Sequence, residues 1–237
     1  MRQHKDCSHD DITMKTVQIK KTGKERSVDI NIQTRELPDA ELLALLLYPD
    51  CATADSTDVA NALLRRFGSL RGLKVASVLN TGDRAGMSNR DALLIRLAHE
   101  MVHRQLKQSL QRGVSLTSPA MTIDYLQTQL RDRKREIFTC LFLDTRHRVI
   151  ASEELFQGSI DGACVYPRVV AERALSLSAA AVIEAHNHPS GVREPSMADQ
   201  AITRRLKDAL LLLEIRVLDH IVIGDGPQVS MASRGMM

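Results

Sequence analysis

Residues 179–200, AAAVIEAHNHPSGVREPSMADQ, contain the clearest indication of the fold. This stretch opens with a short, mainly apolar run that has the length and composition of a buried β-strand. It closes at Ser196, where the amphipathic run SMADQAITRRLKDALLLL begins, and this periodicity predicts a long helix. A buried strand followed closely by an amphipathic helix is typical of an α/β layer structure.

The sequence on both sides of this stretch continues the alternation of strands and helices. Before it, the pattern predicts a helix over about residues 119–130, a hairpin of IFTCLFLD and HRVIASEELF with its turn at Thr145–Arg146, and a helix that Pro167 opens. After it, EIRVLDHIVIG predicts a further strand. Residues 113–237 are therefore predicted to form an α/β domain.

The residues before this domain have a different pattern. Residues 35–112 contain three leucine-rich helical runs, of which the first has Asp39 as its N-cap, the second ends at Gly68, and the third is RDALLIRLAHEMVHRQLKQSL. These runs predict a small all-α domain, preceded by a flexible tail at residues 1–34 that has no sustained period. Five apolar residues are expected to form the buried face of the third run: Leu94, Leu97, Ala98, Met101 and Val102.

Composition limits the classes of function. With 43% hydrophobic and 26% charged residues, the chain of 237 residues can bury a core and is not disordered throughout. A net charge of +3 and 3% aromatic residues argue against a strongly basic or base-stacking surface for nucleic acid. No apolar run reaches the ~20 residues that span a bilayer, and the first residues lack a signal-peptide core. We therefore expect a cytoplasmic protein without a membrane partner.

Two histidines at the end of the predicted strand indicate a metal site. His186 and His188 are two residues apart, and the period of a strand puts both imidazoles on one side of the sheet. Ser196 begins the next helix, and Asp199 follows three residues later on the same helical face. Two imidazoles and one carboxylate on a Zn²⁺ ion leave a fourth position for water, as in catalytic zinc sites. The pattern thus predicts one zinc ion on His186, His188 and Asp199.

The residues alone allow two candidates for the general base and two roles for the residues that start the helix. Glu153 and Glu154 lie on the preceding hairpin strand, and either carboxylate could take a proton from water and deliver it to a leaving amine. Ser196 and Asp199 also match a capping box, in which Ser196 caps the helix and Asp199 stabilises its first turn. A capping box explains these two residues without a metal, but it leaves the histidine pair unexplained.

The segment HNHPSG with the following S-x-x-D resembles the JAMM (MPN-plus) metal motif of the RadC family, whose members are named as DNA repair proteins. The resemblance extends through FLDTRHRVIASEELFQGSI, VYPRVV and VLDHIVIG. It implies an MPN (JAB/JAMM) domain of the cytidine-deaminase-like layered α/β class, with zinc on His186, His188 and Asp199 and with Ser196 stabilising the oxyanion. It also implies that Glu153, five residues before the glycine of FQGS, is the catalytic glutamate. Strand alternation then turns Glu154 to the opposite face.

The helical region resembles the N-terminal domain of the same family, which ends in a helix-hairpin-helix, through LPDAELLALLL and RRFGSLRGL. In such a turn, backbone N–H groups approach a DNA phosphate. The corresponding segment here is GMSNRDA, so Ser88 replaces the second glycine and Asp91 stands where a lysine is common. We therefore expect weak DNA binding at most. A solvated helical surface is the simpler interpretation of the nearby basic residues Arg65, Arg66, Arg71 and Lys74.

A second metal motif occurs in the helical region. HEMVH, residues 99–103, is a literal HExxH, which supplies two ligands and a base in zinc metalloproteases. Helical geometry puts His99 and His103 opposite the predicted apolar face, and Leu106 and Ser109 stand where the metzincin continuation needs glycine and histidine. We expect both histidines to face solvent and to bind no metal.

These observations favour an enzyme, a RadC-like zinc metallopeptidase that hydrolyses a peptide or isopeptide bond in a protein or peptide substrate. His220 on the last predicted strand is expected to be packed or to support a ligand rather than to bind the metal. One alternative is a non-catalytic binding module associated with DNA repair or recombination, which needs no general base at Glu153. Another is a metal-dependent nuclease, which is disfavoured because such sites commonly use several carboxylates.

Overall fold

The computed structural model of the chain describes residues 21–22, 25–26, 34–49, 54–78, 87–111, 119–158 and 164–237. The chain divides into two compact units, Met1–Leu97 and Ala98–Met237. Most of the predicted tail lies outside the described residues, apart from a short antiparallel pair of strands, β1 (Lys21–Thr22) and β2 (Glu25–Arg26). Residues 113–118, at the predicted start of the α/β domain, also lie outside them.

Helices α1 (Asp39–Leu47), α2 (Ala54–Phe67), α3 (Leu70–Val78) and the start of α4 (Asn89–Gln111) form the core of the first unit. Leucines and alanines at helical spacing supply most of this core. Gly68, with a φ of +78°, follows the last residue of α2 as predicted. The N-cap of α1 is Pro38, one residue before the position suggested by the sequence.

The start of α4 explains the two departures from the helix-hairpin-helix pattern. Ser88 Oγ accepts a hydrogen bond from the Asp91 backbone N–H at 3.1 Å. Asp91 is 5% exposed, and its Oδ2 accepts a hydrogen bond from the Tyr48 hydroxyl at 3.2 Å. Both residues therefore stabilise the helical unit. A lysine at position 91 would lose the Tyr48 contact and bury an ammonium group, so that substitution would test folding rather than DNA binding.

The buried face of α4 differs from the predicted one. Three residues expected to be buried are about half exposed or more: Leu97, Met101 and Val102. The buried side instead carries Ile95 in the first unit and Leu110 in the second. His103 is half-buried, and its ring stacks on Tyr125 with the centroids 5.4 Å apart. An imidazole ring covers apolar surface while keeping a polar edge. A prediction based on hydrophobic residues alone therefore chose the wrong buried face for α4.

A five-stranded sheet with the order β4-β3-β5-β6-β7 forms the centre of the second unit. Its strands are β3 (Ile137–Leu143), β4 (Val149–Gln157), β5 (Ala181–Asn187), β6 (Arg216–Ile223) and β7 (Val229–Ser230). Strands β5 and β6 are parallel, and the other neighbours are antiparallel. Helices α5 (Pro119–Leu130), α6 (Pro167–Ser176) and α7 (Met197–Leu211) complete the unit. The α/β class is confirmed, and within this unit the sequence pattern missed β7.

Helices cover both faces of the sheet. On one face, called here the α5 face, Leu141 packs with Leu126 of α5. On the other, called here the α7 face, Phe138 packs with Leu206 of α7 in a core that also includes α6. His186 is paired with Phe138 across β3 and β5 and therefore shares the α7 face. Among the described residues, no helix has both the length and the apolar character needed to cross a membrane.

Candidate metal centre

The histidine pair lies at the C-terminal end of β5, where buried contacts hold the backbone. The side chain of Asn187, between the two histidines, is fully buried. Its Oδ1 accepts a hydrogen bond from the Ile137 N–H at 2.9 Å, and its Nδ2 donates to the Arg135 carbonyl oxygen at 3.1 Å. Asn187 thus anchors the end of β5 to the start of β3, and this anchor keeps His186 and His188 in strand alternation.

A tight loop follows His188 and returns the chain to the end of β6. The His188 N–H donates to the Ile223 carbonyl oxygen at 2.9 Å, and the Gly191 N–H donates to the His188 carbonyl oxygen at 3.0 Å. Gly191 has a φ of +87°, and a Cβ at this position would lie 2.2 Å from Asp225 Oδ2. The positive φ therefore favours glycine at this position, and a side chain there would also displace the Asp225 carboxylate.

The first turn of α7 aims Asp199 at the histidines. Ser196 is the N-cap, and its Oγ accepts a hydrogen bond from the Asp199 N–H at 3.1 Å. Asp199 Oδ2 in turn accepts a hydrogen bond from the Ser196 N–H at 2.6 Å, which completes a capping box. The capping and metal interpretations are compatible, because the carboxylate that closes the box also faces the histidines.

The three side chains form one compact donor group. Asp199 Oδ1 lies 3.3 Å from His186 Nε2, and Asp199 Oδ2 lies 3.5 Å from His188 Nε2. The two Nε2 atoms are 2.9 Å apart. Among the described residues, this is the one group of three or more His, Cys, Asp or Glu side chains whose ligand atoms all lie within 4.8 Å of one another. Its two imidazole nitrogens and one carboxylate oxygen fit a divalent cation.

Each imidazole makes a hydrogen bond outside this group with its other nitrogen. His188 Nδ1 donates to the Val192 carbonyl oxygen at 2.7 Å, and a carbonyl only accepts, so Nδ1 carries the hydrogen. His186 Nδ1 lies 2.8 Å from His220 Nε2. The Nε2 atoms of both ligand candidates therefore face Asp199. Metal-ligating histidines have this arrangement, with one nitrogen on the metal and the other on a supporting partner.

The electrostatics of the group favour an ionised Asp199. Burial raises the pKa of its carboxyl, but hydrogen bonds and charge from His186 and His188, with the Ser196 hydrogen bond, hold that pKa far below its ordinary value. The hydrogen bond to Asp199 raises the pKa of His188, against the opposing effect of burial. In the metal-free protein, a proton therefore competes for the position that a cation would take.

Zinc affinity is accordingly expected to fall as the pH falls. Below the raised pKa of His188, its ring holds a proton that must leave before Nε2 can bind a cation, so the zinc dissociation constant should rise up to about tenfold per pH unit. Competition with a chromophoric chelator at about pH 8 and about pH 6 measures this change. Asp199→Asn removes the carboxylate that raises the His188 pKa, so it should move the fall in affinity to lower pH, together with the weaker binding that follows from the loss of one donor. Equal dissociation constants at the two pH values would contradict the prediction.

Comparison with known proteins identifies the family. The RadC-like JAB domain matches residues 116–236. A UPF0758 protein of Thioalkalivibrio sulfidiphilus is 53% identical over 201 residues, which cover 85% of this chain and 90% of that protein. UPF0758 proteins of Ectopseudomonas mendocina and Vibrio cholerae are 51% and 53% identical over the same shares of the two chains. The chain belongs to the RadC family.

The family match confirms the resemblance carried by HNHPSG and the S-x-x-D that follows it. All three members of the donor group lie within the matched JAB domain of this RadC protein. A JAB domain with a His-His-Asp group is consistent with a metal-dependent hydrolase. The names of the relatives refer to the family alone.

Glu153, the expected catalytic glutamate of this RadC protein, lies on the α7 face of β4. It pairs with Cys140, which pairs with Glu184, two residues before His186 along β5. Arg173 of α6 donates to both carboxylate oxygens of Glu153 at 2.6 Å. These hydrogen bonds lower the pKa of Glu153, against an opposing effect of burial. Glu153 is thus on the same side of the sheet as the donor group, with its carboxylate bound to Arg173.

Glu154 points to the α5 face, as strand alternation predicts. Its Oε1 accepts hydrogen bonds from Arg133 at 2.5 Å and from Gln129 at 3.2 Å. Gln129 belongs to α5, which covers that face. The sheet therefore separates two glutamates that are adjacent in sequence.

A buried polar group behind His186 was not predicted as a unit. Glu184, Thr203 and His220 are fully buried, and His220 contacts His186 directly. Burial lowers the pKa of His220 well below its ordinary value. Burial also raises the pKa of Glu184, whose carboxyl oxygens have no hydrogen-bond partner among the described residues. The sequence signal for this group was a glutamate within the apolar run AVIEAH, whereas Thr203 gave no signal.

The HExxH residues lie outside the donor group. His99 is exposed as predicted, whereas His103 is half-buried, with its Nδ1 3.5 Å from Thr128 Oγ1. Glu100 Oε1 accepts a hydrogen bond from Arg104 Nε at 2.7 Å, one helical turn further along. The motif therefore consists of ordinary surface and packing residues of α4.

Proposed function

We propose that this RadC protein is a zinc-dependent hydrolase of peptide or isopeptide bonds. The observation that carries the proposal is the convergence of His186 Nε2, His188 Nε2 and an Asp199 carboxylate oxygen within 4.8 Å. Two imidazoles and one carboxylate are a donor set of catalytic zinc sites, in which a further position stays open for water or substrate. When bound by these three residues, zinc supplies a Lewis acid that polarises a carbonyl and lets water act as a nucleophile near neutral pH.

Glu153 is the general base in this proposal. Its lowered pKa keeps the carboxylate ionised at neutral pH, so it can accept a proton from the attacking water and return it to the leaving amine. In the resting protein, Arg173 occupies both oxygens of that carboxylate. Each of these oxygens keeps a second lone pair, which can accept the proton while Arg173 stays bound.

Ser196 is the second catalytic group of the proposal. Its Oγ accepts the Asp199 N–H within the capping box, and the same hydroxyl can donate its own hydrogen to the carbonyl oxygen of a substrate. Such a donor stabilises the negative charge that develops on that oxygen during attack. The capping box holds the hydroxyl at the edge of the donor group before substrate arrives.

Two alternative functions would require different residues at the site. A binding module would keep the fold but would need no proton transfer at Glu153. A nuclease commonly uses several carboxylates and often two metal ions, whereas the donor group of this protein includes one carboxylate, that of Asp199. The donor set therefore favours amide hydrolysis over phosphodiester cleavage.

The proposal is tested by incubating zinc-loaded protein with a complex peptide mixture and with lysine-linked isopeptides. We expect new amino or carboxyl termini in the mass spectrum, their loss after chelation, and their return when zinc is restored. Asp199→Asn is the matched variant, since it removes one donor and keeps the side-chain shape. A fully zinc-loaded protein that produces no new termini would contradict the proposal, and cleavage of DNA in a parallel reaction would favour the nuclease.

A further inference from the structure

A buried hydrogen-bond chain connects two of the proposed zinc ligands behind the metal site. It runs from His186 Nδ1 to His220 Nε2 at 2.8 Å and from His220 Nδ1 to the Thr203 hydroxyl at 2.6 Å. The Thr203 hydroxyl then donates to the Asp199 carbonyl oxygen at 2.6 Å. His220 and Thr203 are fully buried and His186 is 1% exposed, so water does not compete for these contacts.

The chemistry of the last group sets the direction of every hydrogen bond in the chain. The Asp199 carbonyl oxygen only accepts, so the single hydrogen of the Thr203 hydroxyl points towards it. A lone pair of that hydroxyl then faces His220 Nδ1 at 2.6 Å, a distance that requires a hydrogen on the nitrogen. His220 is fully buried and Glu184 Oε2 lies 3.6 Å from its Nδ1, so a charged ring would have no hydrogen-bonded carboxylate to compensate it. Its Nε2 is therefore bare, and His186 must carry its hydrogen on Nδ1.

This direction leaves the Nε2 lone pair of His186 available to a cation. The opposite direction would put the hydrogen on His186 Nε2, the atom that lies 3.3 Å from Asp199 Oδ1. A hydrogen at that position would block coordination, because a ring nitrogen binds a metal through its lone pair. The direction of the chain therefore decides whether His186 can act as a ligand.

We propose that His220 and Thr203 are positioning residues that hold His186 in the tautomer and ring orientation needed to bind zinc. The chain also joins the ring of His186, on β5, to the backbone of Asp199, on α7. Two ligands from different elements thus keep their relative position. The inference rests on the proposed function in that the cation at the donor group is zinc.

The other groups near His220 and Thr203 are poorer hydrogen-bond partners. Glu184 Oε2 lies 3.6 Å from His220 Nδ1, which is beyond hydrogen-bond distance. Phe138 contacts His220 with its ring in an edge-on geometry, with the centroids 5.5 Å apart. Met231 Sδ lies 3.8 Å from the Thr203 hydroxyl oxygen and is a weak acceptor. Thr203 is therefore the residue that orients His220.

Two substitutions at Thr203 distinguish the effect of its hydroxyl from the effect of its branched shape. Thr203→Val keeps the branched shape without the hydroxyl, and we expect it to weaken zinc binding about 10- to 100-fold and to change the visible absorption spectrum of the cobalt(II)-loaded protein. Thr203→Ser keeps the hydroxyl and should restore the affinity and the spectrum of the unaltered protein. Chelator competition measures the affinity, and thermal unfolding of the metal-free variants shows that each is folded.

The positions of the ring hydrogens can be measured directly in the unaltered, zinc-loaded protein. Long-range ¹H–¹⁵N spectra of the histidine rings should show a hydrogen on His220 Nδ1 and none on His220 Nε2. A hydrogen on His220 Nε2, or equal zinc affinity for Thr203→Val and the unaltered protein, would overturn the proposal. Neither readout needs a substrate, so a failure to find peptide cleavage would count against the proposed function and leave this inference standing.

Discussion

Replacement of both His186 and His188 by alanine is expected to abolish stoichiometric zinc binding. The double variant loses two of the three donor atoms that lie within 4.8 Å of one another and keeps only the Asp199 carboxylate. The effect should exceed the about 10- to 100-fold loss of affinity that follows removal of a supporting hydrogen bond. Metal analysis of the purified variant, after zinc loading and removal of free ion, measures the result.

The matched control for this experiment is the double variant His99→Ala/His103→Ala. It removes the histidines of the HExxH sequence, one of them exposed and the other stacked on Tyr125. We expect its zinc content to equal that of the unaltered protein, with some loss of stability from the missing ring contact. Zinc that persisted in the first variant and disappeared from the second would transfer the metal site to α4.

Glu153→Gln is expected to keep zinc and to lose hydrolysis. Glutamine has nearly the shape of glutamate and can still hydrogen-bond to water and to Arg173, but it cannot accept a proton. The donor group contains no atom of Glu153, so the zinc content should not change. General acid–base catalysis contributes roughly 10²- to 10⁴-fold, so the loss of rate is measurable on any peptide or isopeptide that the unaltered protein cleaves.

Glu154→Gln is the control, because it makes the same change at the adjacent glutamate on the opposite face of the sheet. Glu154 is bound to Arg133 and Gln129 on the α5 face, away from His186, so its replacement should leave the rate unchanged. Loss of activity in Glu154→Gln with full activity in Glu153→Gln would move the role of the base to Glu154. Full activity in both variants would leave hydrolysis without its base and would favour the binding module.

The strands and helices of residues 119–223 and the family were predictable from the sequence because their signals are local. The period of two along β5 puts His186 and His188 on one side of the sheet, and the helix start places Asp199 three residues after Ser196. These patterns involve residues close together in the chain, where backbone geometry alone relates one side chain to the next. The separation of Glu153 from Glu154 across the sheet follows from the same alternation.

Contacts between residues far apart in the chain could not be predicted from the sequence. The ion pair of Glu153 with Arg173 and the hydrogen bond of His186 to His220 depend on how strands and helices pair, and no local period encodes that pairing. The face of α4 was wrongly predicted for a related reason. The stacking of His103 on Tyr125 buries a residue that composition treats as polar, so burial there depends on the partner and not on the residue type.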